Sequence, residues 1–280
     1  MTDQEAVNYV TQIVKWSGTS FYWGMRLLPR DKREAMYGVY AYCREVDDIA
    51  DGPLTPGEKL EKLADWRKEI ERVFDGSPQT PVGRALSGPV REYELKQSAF
   101  NDIIDGMETD SADAVRMPDM GALDRYCDRV ACAVGRLSNP IFGIGGDTGE
   151  DLARSLGQAL QITNILRDLH EDAMINRLYV PRETLTAYGI SADLPSVVIK
   201  DDRFPEICEM LAARARDNFD EAVGILARCG SASARPPNLM LQNYTWVLEA
   251  LNRRGWASLK NRVSLPKLQK LWIILRYGLM

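Results

Sequence analysis

Apolar residues recur at three- and four-residue steps through most of this 280-residue chain, and no stretch of β-branched residues alternates in the two-residue rhythm of a strand. From Asp31 to about Asp51 the positions Met36, Val39, Tyr40, Cys43 and Val46 form one such stripe, with Pro29 before it and Gly52-Pro53 after it. Further helices are expected near 57–75, 82–110, 119–142, 149–172, 203–229 and 238–255. Gly76-Ser77-Pro78, Pro118, the Gly143–Gly149 run and Pro236-Pro237 punctuate them. Connections are short, and no linker, fixed-period repeat or low-complexity tract divides the chain. The expected architecture is a single all-α domain, a helical bundle with its site between facing helices.

With 45% hydrophobic and 27% charged residues, the chain can bury a large core. Its 35 basic residues against 40 acidic ones leave a net charge of -5, which argues against a nucleic-acid partner. An anionic ligand would have to be met by local cations or metals. Five cysteines without a C-x-x-C pair read as reduced thiols filling a core, which, with no signal-peptide pattern, points to the cytoplasm. No apolar run approaches the roughly 20 residues of a membrane span. A single histidine, His170, removes His-rich metal sites and His-centred triads from consideration.

The acidic residues carry the functional signal. Asp47 and Asp51 are four residues apart and share a helix face, continuing the stripe of Met36, Tyr40 and Cys43, while Asp48 lies about 100° round from Asp47. Partly desolvated carboxylates this close repel one another and take up protons unless a cation is present. A D-D-x-x-D cluster at a helix end suits Mg²⁺, which takes one or two carboxylates and completes its octahedron with water and phosphate oxygens. A second cluster stacks Gln161, Asn164, Asp168 and Asp172 along a helix otherwise covered by Leu160, Ile162, Ile165, Leu166 and Leu169. A polar stripe on so apolar a helix must face a polar cavity or a partner. Arg44 and Arg167 offer the fork geometry that grips a diphosphate.

For a lone acidic motif, a solvated helix end is an equal competitor. Two clusters about 120 residues apart, each on an inward stripe and each beside an arginine, favour a site. Elsewhere the structural reading is preferred. The Gly143–Gly149 run lacks a preceding strand and reads as a helix-ending turn, not a dinucleotide loop. His170 reads as a partly exposed helix residue, and Tyr126, Val130, Ala133 and Val134 form a stripe that base rates assign to the core.

With these residues in place, the chain resembles the squalene/phytoene synthase family, the head-to-head prenyl diphosphate synthases, from about Trp16 to Trp256. Ser20-Phe21-Tyr22-Trp23-Gly24 with Arg26-Leu27-Leu28-Pro29 resembles the family's opening, and Tyr40 through Asp51 its first aspartate motif. Tyr126 through Gly135 resembles the helix that carries a catalytic tyrosine, and Asn164 through Asp172, continuing to Arg177-Leu178-Tyr179-Val180-Pro181, the second motif. Within the family, Asp102 through Glu108 and Arg125 through Val130 are most similar to the bacterial hopanoid-pathway presqualene diphosphate synthases.

The resemblance implies one isoprenoid-synthase-type domain over 1–280 that condenses two farnesyl diphosphates. One ionises, its allylic cation is attacked by the 2,3-double bond of the other, and proton loss closes a cyclopropane to give presqualene diphosphate, toward squalene and hopanoids. It implies Mg²⁺ held by Asp47, Asp48, Asp51, Asn164, Asp168 and Asp172, with NADPH not expected. Substrate would meet Ser20, Phe21, Tyr40, Arg44, Gln161, Arg167, Arg177 and Tyr179. Tyr126 would assist proton transfer or stabilise the cation, and Arg44 and Arg167 would absorb charge on the leaving diphosphate. Downstream squalene and hopanoid enzymes are the implied partners. Phytoene synthase, from two geranylgeranyl diphosphates, and dehydrosqualene or squalene synthase share every ligand and are the alternatives; a non-catalytic helical assembly factor is the alternative of another class. Thr19, Met25 and Asn139-Pro140 depart from the family pattern. The basic and aromatic run Leu265 through Tyr277 makes 257–280 either a peripheral segment resting on the inner face of a membrane or the last core helix.

Overall fold

Threonine capping boxes start two of the helices. Thr2 accepts from the Glu5 amide while the Glu5 carboxylate accepts from the Thr2 amide, opening α1 (Asp3–Trp16); Thr55 and Glu58 repeat the arrangement further along the chain. The computed structural model describes residues 2–17, 21–264 and 266. After α1 come α2 (Phe21–Arg26), α3 (Arg30–Asp51), α4 (Pro56–Phe74), α5 (Pro81–Glu92) and α6 (Gln97–Asp110). A two-residue strand β1 (Val115–Arg116) precedes α7 (Met120–Cys127), a π-helical turn (Asp128–Cys132), α8 (Ala133–Phe142) and α9 (Gly146–Met174). The chain then forms β2 (Arg177–Leu178), the short α10 (Arg182–Ala187) and α11 (Pro195–Val198), α12 (Phe204–Leu226) and α13 (Ser231–Arg254).

The all-α expectation holds, with local corrections. The pattern over 82–110 is broken at Glu94, which takes a left-handed backbone (φ 51°) and separates α5 from α6. The pattern over 119–142 contains the π turn, which periodicity averaged over a long window does not show. Pro236-Pro237 does not divide elements but lies inside α13, near its start. Helix α1 was not expected, although Ala6, Val10 and Val14 bury a four-residue stripe. The parallel pairing of Val115 with Arg177 and Arg116 with Leu178 is too short to leave an alternating signature.

The apolar core has two parts. Tyr42, Leu63, Ile70, Leu86, Phe100 and Ile104 centre one on α3 to α6; Leu152, Leu166, Phe204, Leu211, Leu248 and Leu251 centre the other on α9, α12 and α13. Tyr42 packs edge-on against Trp66 and Phe100 and donates its hydroxyl to the Phe100 carbonyl at 2.7 Å, so this large buried side chain leaves no orphan polar atom. All five cysteines are free thiols. Among the described residues no helix is long and apolar enough to cross a membrane.

Candidate active site

A cavity of about 290 Å³ opens between the two parts of the core. Its walls are apolar, with Met25, Met36, Val39, Val134, Leu156 and Met240 supplied by the loop end of α2 and by α3, α8, α9 and α13. Tyr40, Cys43, Gln161, Asn164 and Tyr244 add the polar groups. The Met36–Tyr40–Cys43 stripe therefore faces inward as its spacing predicts, and Gln161 and Asn164 face the same space from α9. Helices α8 and α9 approach closely here: a Cβ on Gly135 would lie 2.9 Å from Ala153, and one on Gly157 would lie 2.7 Å from the Cys132 backbone.

The aspartates continue these stripes, Asp47 one turn beyond Cys43 and Asp168 one turn beyond Asn164. Arg44 pairs with Asp48 at 2.6 Å and Asp47 at 3.5 Å. Arg167 donates to Asp168 at 2.9 Å, and Arg262 reaches the same carboxylate at 3.1 Å from beyond α13. Arg177 donates to Asp51 at 2.9 Å. The two clusters share one electrostatic environment. Burial, Asp168, Asp110 and Asp51 push the Asp172 carboxyl up to about 7 against the opposing pull of Arg177. Burial and then Asp51 push Asp47 up to about 6, opposed by Arg44.

Asp110, at the last position of α6, is the residue that sequence reasoning missed. It is 7% exposed; one carboxylate oxygen accepts the Tyr126 hydroxyl at 2.9 Å and the other the Tyr179 hydroxyl at 2.7 Å. The two phenol rings stack with centroids 4.7 Å apart, and the Asp110 carbonyl accepts from Arg177 at 2.7 Å. Burial raises the Asp110 carboxyl to about 6 despite these donors. Tyr126 and Tyr179 are thus both buried at this hub, one turn before the cavity-lining Val130 in the case of Tyr126. Nothing in sequence spacing links Asp110 to Tyr179, because strand pairing of β1 with β2 brings them together. Arg262 carried no signal either. Phe21 opens α2; Ser20 and Thr19 lie outside the described residues, as does the run from Leu265 to Tyr277 except Pro266.

Among the described residues no three His, Cys, Asp or Glu side chains converge into a ready-made metal cage; the carboxylates are paired with arginines instead. The donor set nevertheless has the chemistry that Mg²⁺ selects. It consists of hard oxygens, with burial and then neighbouring carboxylates raising Asp47 and Asp172 above the usual carboxylate range, and includes a buried Asn164 Oδ1 with no hydrogen-bond partner.

Comparison with known proteins agrees with this geometry. The squalene/phytoene synthase family profile matches residues 14–269. A presqualene diphosphate synthase from Rhodopseudomonas palustris is 44% identical over 94% of both chains, and a 15-cis-phytoene synthase from Synechococcus elongatus is 32% identical over 95% of this chain and 90% of its own. A dehydrosqualene synthase solved with a ligand superimposes with a TM-score of 0.84 at 25% identity, covering 99% of this chain and 96% of that one. The chain belongs to the squalene/phytoene synthase family, the head-to-head prenyl diphosphate synthases.

Proposed function

We propose that this chain condenses two farnesyl diphosphates into presqualene diphosphate. The observation that carries the choice of product is the 42–44% identity to presqualene diphosphate synthases over nearly the whole chain, against 29–34% to phytoene synthases. The site supports the chemistry. Arg44, about half exposed, and Arg167, about a fifth exposed, are each paired with an aspartate that they could exchange for a diphosphate. Asp47, Asp48, Asp51, Asn164, Asp168 and Asp172 would hold Mg²⁺, whose chemistry when bound is to neutralise charge on the departing diphosphate. The apolar cavity beyond Tyr40 and Gln161 receives the prenyl chain and keeps water from the allylic cation. Tyr126 is oriented by Asp110, which fixes where its hydroxyl proton points and leaves its oxygen lone pairs directed away from that carboxylate.

Phytoene synthesis from geranylgeranyl diphosphate is the second reading, since it uses the same ligands and differs in the chain length that the cavity admits. Incubating the purified protein with Mg²⁺ and either prenyl diphosphate, without NADPH, separates the two. Presqualene diphosphate from the farnesyl substrate is the expected product. Phytoene formed from the longer substrate alone would replace the first reading by the second.

A further inference from the structure

The π turn at Asp128–Cys132 is the irregularity in the helical path that carries one wall of the cavity. Such a turn inserts a residue, so the helix beyond it is rotated by about 100° relative to an unbroken α-helix. Before the turn Tyr126 faces Asp110; within and beyond it Val130, Ala131, Val134 and Gly135 face the cavity. Two neighbouring helices leave room for the bulge. A Cβ on Gly106 of α6 would lie 2.4 Å from Val130 Cγ1, and Gly157 of α9 meets the Cys132 backbone as closely as described above.

Arg136 clamps this turn. Its side chain is 15% exposed, and its two terminal nitrogens lie 2.9 and 2.8 Å from the Asp128 carboxylate oxygens, joining the first residue of the turn to the helix that follows. The same guanidinium reaches Asp102 on α6 and Glu150 on α9, both at 3.3 Å, and Arg129 within the turn pairs with Asp105 at 3.2 Å. A largely buried guanidinium held in a bidentate grip and shared among three carboxylates fixes geometry in a way that isolated surface pairs do not, although the carboxylates themselves remain partly exposed.

We propose that Arg136 is a positioning residue for the prenyl-binding wall: by holding the π turn it sets the register in which Val130, Ala131 and Val134 line the cavity, and so contributes to chain-length selection. A slip of the turn into α geometry would rotate that wall and turn Cys132, now packed on Gly157, out of its contact. The kinetic arm of the test rests on the cavity being the prenyl site, as proposed above; the chemical arm does not.

In Arg136→Met, alkylation by N-ethylmaleimide mapped by mass spectrometry is expected to show Cys132 reacting about tenfold faster than in the wild type, with Cys208 in α12 unchanged. The ratio of kcat/KM for farnesyl over geranylgeranyl diphosphate is expected to shift by about fivefold or more. Arg154→Met, which removes the Arg154 pairs with Asp151 and Glu221 but not the clamp, is expected to do neither. Unchanged Cys132 labelling, labelling that rises equally at Cys208, or faster Cys132 labelling with an unchanged ratio would each overturn the proposal. If Arg136→Met does not fold, Asp128→Asn takes its place, removing the carboxylate that Arg136 grips while keeping the side chain's shape, and unchanged Cys132 labelling or an unchanged ratio there overturns it. A wild-type protein that turns over neither diphosphate would sink the proposed function, while the Cys132 arm would still decide the clamp.

Discussion

Arg177 donates to Asp51 at 2.9 Å across 126 residues of chain, tying the strand that follows the second aspartate cluster to the end of the first. Its other nitrogen donates to the carbonyl of Asp110, so one guanidinium, 12% exposed, joins both clusters to the tyrosine hub. Replacing it by Met leaves Asp51, Asp110 and Asp172 without a common cation. Arg177→Met is expected to lower stability by about 2–3 kcal/mol in urea titrations, with turnover falling as well.

Asp172 gives a prediction of opposite sign for stability and activity. Its carboxyl is raised from 3.8 to about 7, so the folded state holds this proton more tightly than the unfolded chain. The metal-free protein therefore has this contribution in full below pH 4 and loses it as pH rises through about 7. Asp172→Asn removes the dependence. Without metal at pH 8 it is expected to be more stable than the wild type by about 1–2 kcal/mol, after allowing for solvent screening, with the gap narrowing below pH 7 and closing only near pH 4. Turnover with Mg²⁺ should be lost. Thermal melts across pH check the first part, and a melting temperature at pH 8 below the wild type's would contradict it.

Asp48 is more than half exposed and pairs only with Arg44 among the described residues, so Asp48→Ala should fold normally. Turnover is expected to fall roughly a hundredfold or more if the first cluster holds the metal. Near-normal turnover in a steady-state assay would remove Asp48 from the ligand set.

Asp110→Asn tests the hub. An amide can accept from one phenol but must present its NH₂ to the other, so either Tyr126 or Tyr179 loses its acceptor. A stability loss of about 1–3 kcal/mol is expected, with kcat reduced more than KM is raised. Tyr179→Phe should reproduce part of the stability loss and leave the Tyr126 contact intact, which compared denaturation curves would show.

Much of the site was legible because helical periodicity is a local property. The four-residue step from Cys43 to Asp47 to Asp51, and the steps through Gln161, Asn164, Asp168 and Asp172, put each set of side chains on one helix face. Cys43, Gln161 and Asn164 do line one cavity, while the aspartates that continue their stripes lie beyond its lining, with Asp47 and Asp51 about half exposed. Asp110 and Arg262 escaped because each acquires its role from a partner distant in sequence, Tyr179 in one case and Asp168 in the other. The π turn escaped for a different reason: one extra residue shifts the phase of the pattern by about 100°, but with apolar positions on both sides of the turn no polar stripe marks where the shift occurs.

The sequence by itself determined the helical class, the two acidic stripes and the arginines beside them, since these follow from residue type and from the fixed rotation per residue of an α-helix. Tertiary structure decided how far the stripes' carboxylates are desolvated, which arginine neutralises which aspartate, and that Asp110 binds two tyrosines. Those outcomes depend on burial and on distances between segments far apart in the chain, and Coulomb and desolvation energies are set by that arrangement and not by the order of residues.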